Sequence, residues 1–336
     1  MRLHNKPVLC NYYVTYRCNA ACSFCDIWEK PSPYITLENV NENLIDLKKL
    51  GVNVIDFTGG EPLLHRQLAD FLKLAKQLGF ITTVTTNCLL YPKYAENLKG
   101  LIDMLHFSLD SPIEAEHNES RKVNCYSHVM RSIEIAKSLG ERPDILFTVN
   151  SENIKHLTQV YEEISLPNGL MLILNPIFEY NDIGGNLGYS DLKILSKFGK
   201  KSKVYLNEAF ISLRKNGGNQ INKPVCKAAS TTLVISPENE LIVPCYHLGT
   251  KSFPIQGQLA DLYYNQEVEA LKKMEGKLPG CQGCTINCYM QPSFAVELNR
   301  YWLEAAPSTL KYTFEKQMWK PYLMGALPFL RKEQYS

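Results

Sequence analysis

The sequence lacks long apolar runs, blocks of like charge and an evident export signal. No stretch reaches the roughly 18 apolar residues that a membrane span requires. The 36 Lys and Arg residues nearly balance the 34 Asp and Glu residues, so the net charge of +2 gives no electrostatic support for a nucleic-acid partner. The first seventeen residues contain no apolar run with a cleavage site, which predicts a cytoplasmic protein.

Cysteine, in contrast, is abundant. The 336 residues include 11 cysteines, and in a reducing compartment such cysteines more often bind metal than form disulfides. Three lie within residues 18–25 and five within 226–288, whereas Cys10, Cys88 and Cys125 stand apart. We interpret the two groups as metal ligands and the scattered cysteines as small buried hydrophobes.

The first two-thirds of the chain alternates short β-like runs with amphipathic helical stretches. Strands are predicted over residues 8–15, 54–58, 81–86, 104–109, 145–149 and 170–174. Thr36 is expected to cap a helix that ends at Leu50, before the stop signal of Gly51. Repetition of this strand–helix unit about six times predicts an α/β fold with parallel strands, either a partial barrel or an open sheet.

Other helical patterns cover 68–78, 129–139 and 154–164, and a charged helix is predicted over 191–215. From residue 226 onward the pattern changes to short strands, turns and cysteines. A hairpin over 231–243 is expected to bring Cys226 and Cys245 close together.

The most informative feature is the cysteine motif Cys18-x3-Cys22-x2-Cys25. A [4Fe–4S] cluster normally takes four cysteines, so a loop with three would leave one iron open to another ligand. The motif follows a predicted strand, where parallel α/β folds place their active sites. A zinc knuckle is the alternative, although zinc would require a fourth ligand.

A second motif, Gly59-Gly60-Glu61-Pro62, follows the second predicted strand. The two glycines would let a ligand approach the backbone closely, and Glu61 offers a carboxylate to a cation. The alternative is a tight strand-to-helix turn with a solvent-exposed acid.

The cysteine motif and the Gly-Gly-Glu-Pro segment together resemble the radical S-adenosylmethionine (SAM) superfamily. The resemblance implies a partial (β/α)6 barrel in which Cys18, Cys22 and Cys25 hold a [4Fe–4S] cluster whose open iron chelates SAM. It also implies an electron donor, such as a flavodoxin or ferredoxin, and reductive cleavage of SAM to a 5′-deoxyadenosyl radical. That radical abstracts hydrogen from a substrate.

The same resemblance implies roles for further residues. The Gly-Gly-Glu-Pro segment is expected to hold the methionyl ammonium of SAM, and Phe24 to pack near adenine. Other expected cofactor-binding residues are Thr86, Ser108, Asp110 and Asn150, which end strands, and Arg121, which resembles an arginine of the molybdenum-cofactor-synthesis-like branch. The alternative for each is a cap or turn residue or, for Arg121, a surface arginine. Cys88 stands where the family often has glycine.

The second cysteine group resembles the auxiliary-cluster domain called SPASM, or its shortened form, twitch. It has five cysteines rather than seven, which favours one auxiliary [4Fe–4S] cluster. The twitch spacing is matched by Cys226, Cys245, Cys281 and Cys284, and Cys288 is either an alternative ligand or a spare thiol. A zinc ribbon is the alternative.

These observations divide the chain into a radical SAM partial barrel over 1–215, an auxiliary-cluster domain over 216–300 and a C-terminal tail over 301–336. Within the tail, the apolar run 321–330 is expected to dock on the core. Contact of this run with a membrane surface or a lipid-like substrate is the alternative.

The resemblance implies an enzyme and leaves the reaction subclass open. A small-molecule or lipid-like biosynthetic substrate is the leading hypothesis, because the first predicted strand begins at residue 8 and leaves no fused peptide-recognition domain. Maturation of a ribosomal peptide or protein is the second hypothesis. A non-catalytic Fe–S carrier or sensor is the alternative of another class, but it gives the Gly-Gly-Glu-Pro segment and Ser108 no purpose.

Overall fold

The structure, a computed structural model, describes residues 6–180, 184–248 and 251–317. Ten strands form one sheet: β1 (Leu9–Thr15), β2 (Val54–Gly59), β3 (Ile81–Thr86), β4 (Met104–Ser108), β5 (Asp144–Val149), β6 (Leu172–Pro176), β7 (Val204–Tyr205), β8 (Thr232–Ile235), β9 (Glu240–Val243) and β10 (Lys251–Pro254). Their order is β10-β9-β8-β1-β2-β3-β4-β5-β6-β7.

Strands β1 to β6 lie side by side in chain order, and each neighbouring pair is parallel, as predicted. They form the partial (β/α)6 barrel. The barrel stays open because β1 continues to β8 and β6 continues to β7, both in parallel. Along β1, Tyr12 packs in the core under the helices, whereas Tyr13 points to the other face and joins a cluster with the C-terminal region.

The helices are α1 (Leu37–Leu50), α2 (Leu68–Gln77), α3 (Tyr91–Leu98), α4 (Glu114–Arg121), α5 (Tyr126–Ser138), α6 (Leu157–Gln159), α7 (Tyr189–Phe198), α8 (Glu208–Lys215), α9 (Ala228–Thr231), α10 (Leu259–Tyr263), α11 (Gln266–Lys272), α12 (Asn287–Val296) and α13 (Arg300–Glu315). The predicted cap of α1 is confirmed, because the Thr36 side chain accepts a hydrogen bond from the amide of Asn39. Gly51 ends α1 with a φ of 94°. Helices α3 and α4, and α9 to α13 in the C-terminal region, were not predicted.

The single helix predicted over 191–215 is wrong. Helix α7 ends at Phe198, β7 follows, and α8 begins after Asn207, whose side chain accepts a hydrogen bond from the amide of Ala209. The chain between them includes Lys203 at a φ of 50°. That left-handed conformation is incompatible with a continuous right-handed helix.

The C-terminal region extends the barrel sheet. The predicted hairpin is confirmed, because Ile235 of β8 pairs antiparallel with Leu241 of β9. Helix α13 packs against α8 and α12, and the Tyr312 hydroxyl donates to the Asp144 carboxylate at 2.6 Å. The tail residues 301–317 thus lie mainly in a docked helix, and the apolar run 321–330 lies outside the described residues.

Two further expectations concern burial. Cys10, Cys88 and Cys125 are fully buried, as predicted for structural thiols. Across 6–180, 184–248 and 251–317, no helix combines the length and apolar character needed to cross a bilayer.

Candidate active site and second cysteine site

The cysteine motif lies in the loop that follows β1. Its three thiols are free and partly exposed. The loop backbone is fixed by the end of α4: the Ala21 amide donates to the Arg121 carbonyl at 3.2 Å, and the Ser23 amide donates to the Ser120 carbonyl at 3.1 Å. The backbone is therefore anchored on one side while the thiols stay available to a ligand.

Arg121 holds the same loop through its side chain. Its guanidinium forms a 2.7 Å ion pair with the buried carboxylate of Asp110 and lies 5.3 Å from the centre of the Phe24 ring. Its Nη1 is 3.9 Å from the Sγ of Cys22. Asp110 also accepts a hydrogen bond from the Thr148 amide at 3.0 Å. Arg121 is therefore not the surface arginine of the alternative interpretation; it is buried against the loop.

Gly59 and Gly60 are required by the chain's own backbone. A Cβ on Gly59 would lie 2.0 Å from the carbonyl oxygen of Thr15, and one on Gly60 would lie 2.2 Å from that of Arg17. The same carbonyls accept 2.9 Å hydrogen bonds from the amides of Gly60 and Glu61. The end of β2 thus clamps the start of the cysteine loop. This close packing explains the two glycines, and the sequence alone does not reveal it.

Glu61 is buried, not a solvent-exposed acid. One carboxylate oxygen accepts from the Leu63 amide at 3.1 Å and from the Thr86 hydroxyl at 2.9 Å, and the other accepts from the Asn87 amide at 2.9 Å. Burial raises the pKa of Glu61 to about 7, although these bonds favour the ionised form. Glu61 ties the end of β2 to the turn after β3, and Pro62 begins the short 3-10 turn that follows.

The turn after β3 keeps an unusual conformation. The Thr86 hydroxyl accepts a hydrogen bond from the Cys88 amide at 3.0 Å. Cys88 adopts a φ of 69°, a conformation that glycine adopts without strain. The substitution of cysteine for the family's glycine therefore leaves a left-handed turn in place.

The remaining predicted residues lie at other strand ends. Ser108 is buried at the end of β4. The Asn150 side chain accepts from the amides of Glu152 and Asn153 at 2.9 and 2.8 Å, so its carbonyl oxygen stabilises a turn.

A cleft opens between the cysteine loop, the ends of β2, β5 and β6, and residues 246–247. Of the predicted site residues, Phe24, Cys25 and Gly59 line it. The other residues predicted to bind the first cluster or SAM are not among the described cleft-lining residues. Its aromatic wall comprises Tyr13, Phe178, Tyr180 and Tyr246.

The cleft residues that the sequence analysis missed include Asp26, Tyr180, Tyr246 and His247. Asp26 accepts a 2.8 Å hydrogen bond from the Tyr180 hydroxyl. Burial, and secondarily the nearby Lys30, lowers the pKa of His247 to about 4. Among the described cleft-lining residues there is no Lys or Arg, and Asp26 is the sole Asp or Glu. The adjacency of Asp26 to Cys25 was a signal that could have found it.

The second cysteine group surrounds a separate enclosed cavity. Cys226, Cys245, Cys281 and Cys284 all line it, together with apolar side chains such as that of Met290. The structure thus brings together the four cysteines of the twitch spacing.

Asn219 connects two of the segments that supply these cysteines. Its side chain accepts from the Cys226 amide at 3.1 Å and donates to the Cys281 carbonyl at 3.0 Å. Cys288 is not among the residues that line the cavity, and its Sγ lies 3.8 Å from the Nε2 of His247.

The spacing of the donors bears on the zinc alternatives. In the part of the chain that the structure describes, no three His, Cys, Asp or Glu side chains converge as they would on a single metal ion. Zinc holds its ligands at about 2.0–2.3 Å, whereas a four-iron cluster separates its thiolates further.

The sequence profile of the Radical SAM superfamily matches residues 12–164. Those residues form a radical SAM domain. The matched range contains both the cysteine motif and the Gly-Gly-Glu-Pro segment. Radical SAM domains imply a [4Fe–4S] cluster and SAM, and relatives of this domain are enzymes.

One curated relative is the S-adenosylmethionine-dependent nucleotide dehydratase RSAD2 of Siniperca chuatsi, 28% identical over 151 residues that cover 43% of each chain. Another is the probable GTP 3',8-cyclase of Saccharolobus solfataricus, 27% identical over 200 residues that cover 57% of this chain and 64% of the relative. The chain spans about half the length of the curated relatives it matches.

Several solved structures share the fold of this chain. Streptococcus suis SuiB bound to S-adenosylmethionine matches with a TM-score of 0.65 at 17% identity, over 84% of this chain and 71% of SuiB. The protein anSMEcpe with bound AdoMet and a Cp18Cys peptide matches with a TM-score of 0.62 at 18% identity, over 97% of this chain and 100% of that chain. At these identities the likeness shows a common fold.

Proposed function

We propose that this chain reductively cleaves SAM, with Cys18, Cys22 and Cys25 holding a [4Fe–4S] cluster that has one open iron. The observation that carries the proposal is the placement of three free thiols on an anchored loop beside a cleft at parallel strand ends. The donor set fits a cluster with one open iron. Cys25 of the motif is the one cysteine among the described cleft-lining residues, so the lining offers no fourth thiol beyond the three of the motif. When bound and reduced, such a cluster supplies the electron that converts SAM to a 5′-deoxyadenosyl radical for hydrogen abstraction.

The surrounding residues would orient SAM and exclude water. Phe24 presents a ring to the cleft beside the cysteine loop, where the family resemblance puts adenine, and Gly59 presents backbone. Glu61 and Asp110 would act from behind, by fixing the turns and the loop that shape the cleft. The aromatic wall would shield a reactive radical from solvent.

We further propose one auxiliary [4Fe–4S] cluster on Cys226, Cys245, Cys281 and Cys284, within a twitch-like domain over 216–300. The enclosed, largely apolar cavity supports this assignment. With four cysteine ligands the cluster would have no open iron, so its role would be electron transfer. Cys288 would be a spare thiol. A reducing cytoplasm and a flavodoxin or ferredoxin donor suit both clusters.

The charge of the cleft bears on the substrate. The names of the two relatives indicate that they act on nucleotides, and polyphosphates are usually held by Arg and Lys. The described cleft lining contains neither and carries the carboxylate of Asp26, and the ammonium of Lys30 beside it already donates to the Tyr246 hydroxyl at 2.9 Å. We therefore propose a neutral or amine-bearing small molecule, which includes a lipid-like intermediate, in preference to a nucleoside triphosphate.

The decisive experiment for the open iron is spectroscopic. After anaerobic reconstitution and dithionite reduction, addition of SAM should change one [4Fe–4S] EPR signal of the wild type. The Cys25→Ala variant should lack that response, whereas Cys125→Ala, which removes a buried thiol outside both sites, should keep it. A wild-type spectrum that SAM leaves unchanged would contradict the proposal.

The substrate class has its own test. GTP and CTP, added with SAM and reductant, should not increase the yield of 5′-deoxyadenosine above the level without substrate. Stimulation by either triphosphate would contradict the inference from cleft charge while leaving SAM cleavage intact.

A further inference from the structure

Arg214 carries a half-buried positive charge for which the described residues supply no carboxylate partner. It lies in the last turn of α8, and none of the ion pairs among residues 6–180, 184–248 and 251–317 includes it. Its guanidinium donates to oxygen atoms of Pro176, Ile177, Phe210, Thr285 and Asn287 at 3.0–3.3 Å. All five acceptors are neutral.

A cation that is partly removed from water becomes more favourable when an anion lies near it. Burial lowers the pKa of Arg214 to about 10, so the group stays charged at neutral pH. The ionisable group that opposes this effect is the thiol of Cys284, which would be a thiolate in a metal-bound state. The carbonyl oxygens at the end of α8 contribute partial negative charge but not a full unit.

The position of Arg214 is between the two sites. Pro176 and Ile177, which accept its hydrogen bonds, line the cleft, and Thr285 directly follows the cavity residue Cys284. Arg214 therefore fastens the end of β6 to the cysteine segment.

Asn287 strengthens the same link. Besides accepting from Arg214, its amide donates to the Asn175 side chain and to the Pro176 carbonyl, both at 2.7 Å. Asn175 also lines the cleft. A continuous set of hydrogen bonds thus connects the cleft wall to the segment that carries Cys284.

We propose that Arg214 is the fixed countercharge of the auxiliary cluster and raises its reduction potential. The inference rests on the proposed second cluster. A [4Fe–4S] cluster with four thiolates gains one electron and one negative charge on reduction, with no bond made or broken. A fixed cation that is hydrogen-bonded to Thr285, the residue after Cys284, favours the reduced state because it offsets that added charge. Arg214 is thus a positioning and tuning residue that touches neither SAM nor substrate.

The test is an EPR-monitored dithionite titration of the reconstituted full chain. The auxiliary signal is identified as the one that SAM leaves unchanged. Arg214→Gln, which keeps hydrogen-bonding groups but removes the charge, should shift its midpoint potential downward. Arg214→Lys, which keeps the charge but not the planar fork of donors, should retain most of the wild-type potential. The control Arg300→Gln removes an exposed arginine and should leave the potential unchanged.

Iron content per chain is measured in parallel. A wild-type potential in fully loaded Arg214→Gln would overturn the countercharge, as would a fully loaded Arg214→Lys that shifts as far as the Gln variant. If Arg214→Gln fails to fold or retain iron, the loaded Lys variant decides: a potential close to that of the wild type supports the countercharge, and a clear downward shift overturns it. A wild type with about four irons and one signal would instead contradict the auxiliary cluster itself, so the two failures are distinguishable.

Discussion

Replacement of Gly60 by alanine tests whether close backbone packing holds the cysteine loop. The new Cβ would lie 2.2 Å from the Arg17 carbonyl oxygen and 2.4 Å from that of Tyr16, against a practical minimum of 3.0 Å. These carbonyls would have to move by nearly 1 Å. We expect overpacking of about 1–3 kcal/mol, plus about 1 kcal/mol for each of the two strained hydrogen bonds between the segments.

The sum of roughly 3–5 kcal/mol is measurable by thermal unfolding. For 336 residues, 1 kcal/mol corresponds to about 1.4 °C, so the variant should unfold roughly 4–7 °C lower. Because the displaced carbonyls precede the cysteines, it should also retain less iron after anaerobic reconstitution.

Gly185→Ala is the matched control. Gly185 also lacks a positive φ, and a Cβ there would meet nothing within 4 Å. Its midpoint temperature and iron content should equal those of the wild type. Equal behaviour of the Gly60 and Gly185 variants would refute the clamp between β2 and the cysteine loop.

Three other predictions concern the clusters, the loop and the barrel interior. Cys284→Ala should reduce iron from about eight to about four per chain, whereas Cys288→Ala should keep about eight; equal losses would contradict the ligand assignment. Arg121→Met should lower the free energy of unfolding by about 3–5 kcal/mol in urea, because it leaves Asp110 buried and unpaired, and added Asp110→Asn should restore part of that loss. Burial raises the pKa of Asp56 from 3.8 to about 7. Between these two pH values the folded chain keeps a proton that the unfolded chain loses, so the stability contributed by Asp56 falls as pH rises through this range. Asp56→Asn should therefore stabilise the protein by roughly 2–4 kcal/mol at pH 8 and by less at pH 5 in urea titrations; an equal gain at both would be inconsistent with that ionisation.

The sequence was informative where local pattern decides the outcome. Six strands and the cap at Thr36 follow from hydrophobic periodicity and side-chain chemistry within a few residues, and the structure has them within about two residues of the predicted bounds. The break at Lys203 was missed because a charged amphipathic pattern continues across it.

The site was only partly predictable, because several of its residues are far apart in the sequence. The spacing of the motif cysteines identifies them in the sequence, but partners of Glu61 are supplied by the turn after β3, some 25 residues away. Tertiary structure alone brings Tyr180 and His247 to the cleft and Arg214 to the carbonyl of Pro176 in the cleft wall. Single residues of this kind carry no local signal, so the aromatic wall and the half-buried cation emerge only from the fold.

The central claim is that the cysteine motif holds a cluster that cleaves SAM. The most direct measurement is mass-spectrometric detection of 5′-deoxyadenosine after anaerobic reconstitution, with dithionite and SAM added to the wild type and to a Cys18→Ala, Cys22→Ala, Cys25→Ala triple variant. We predict 5′-deoxyadenosine from the wild type and none from the triple variant, which should retain the auxiliary iron. Absence of 5′-deoxyadenosine from a wild type with both clusters full would contradict the account.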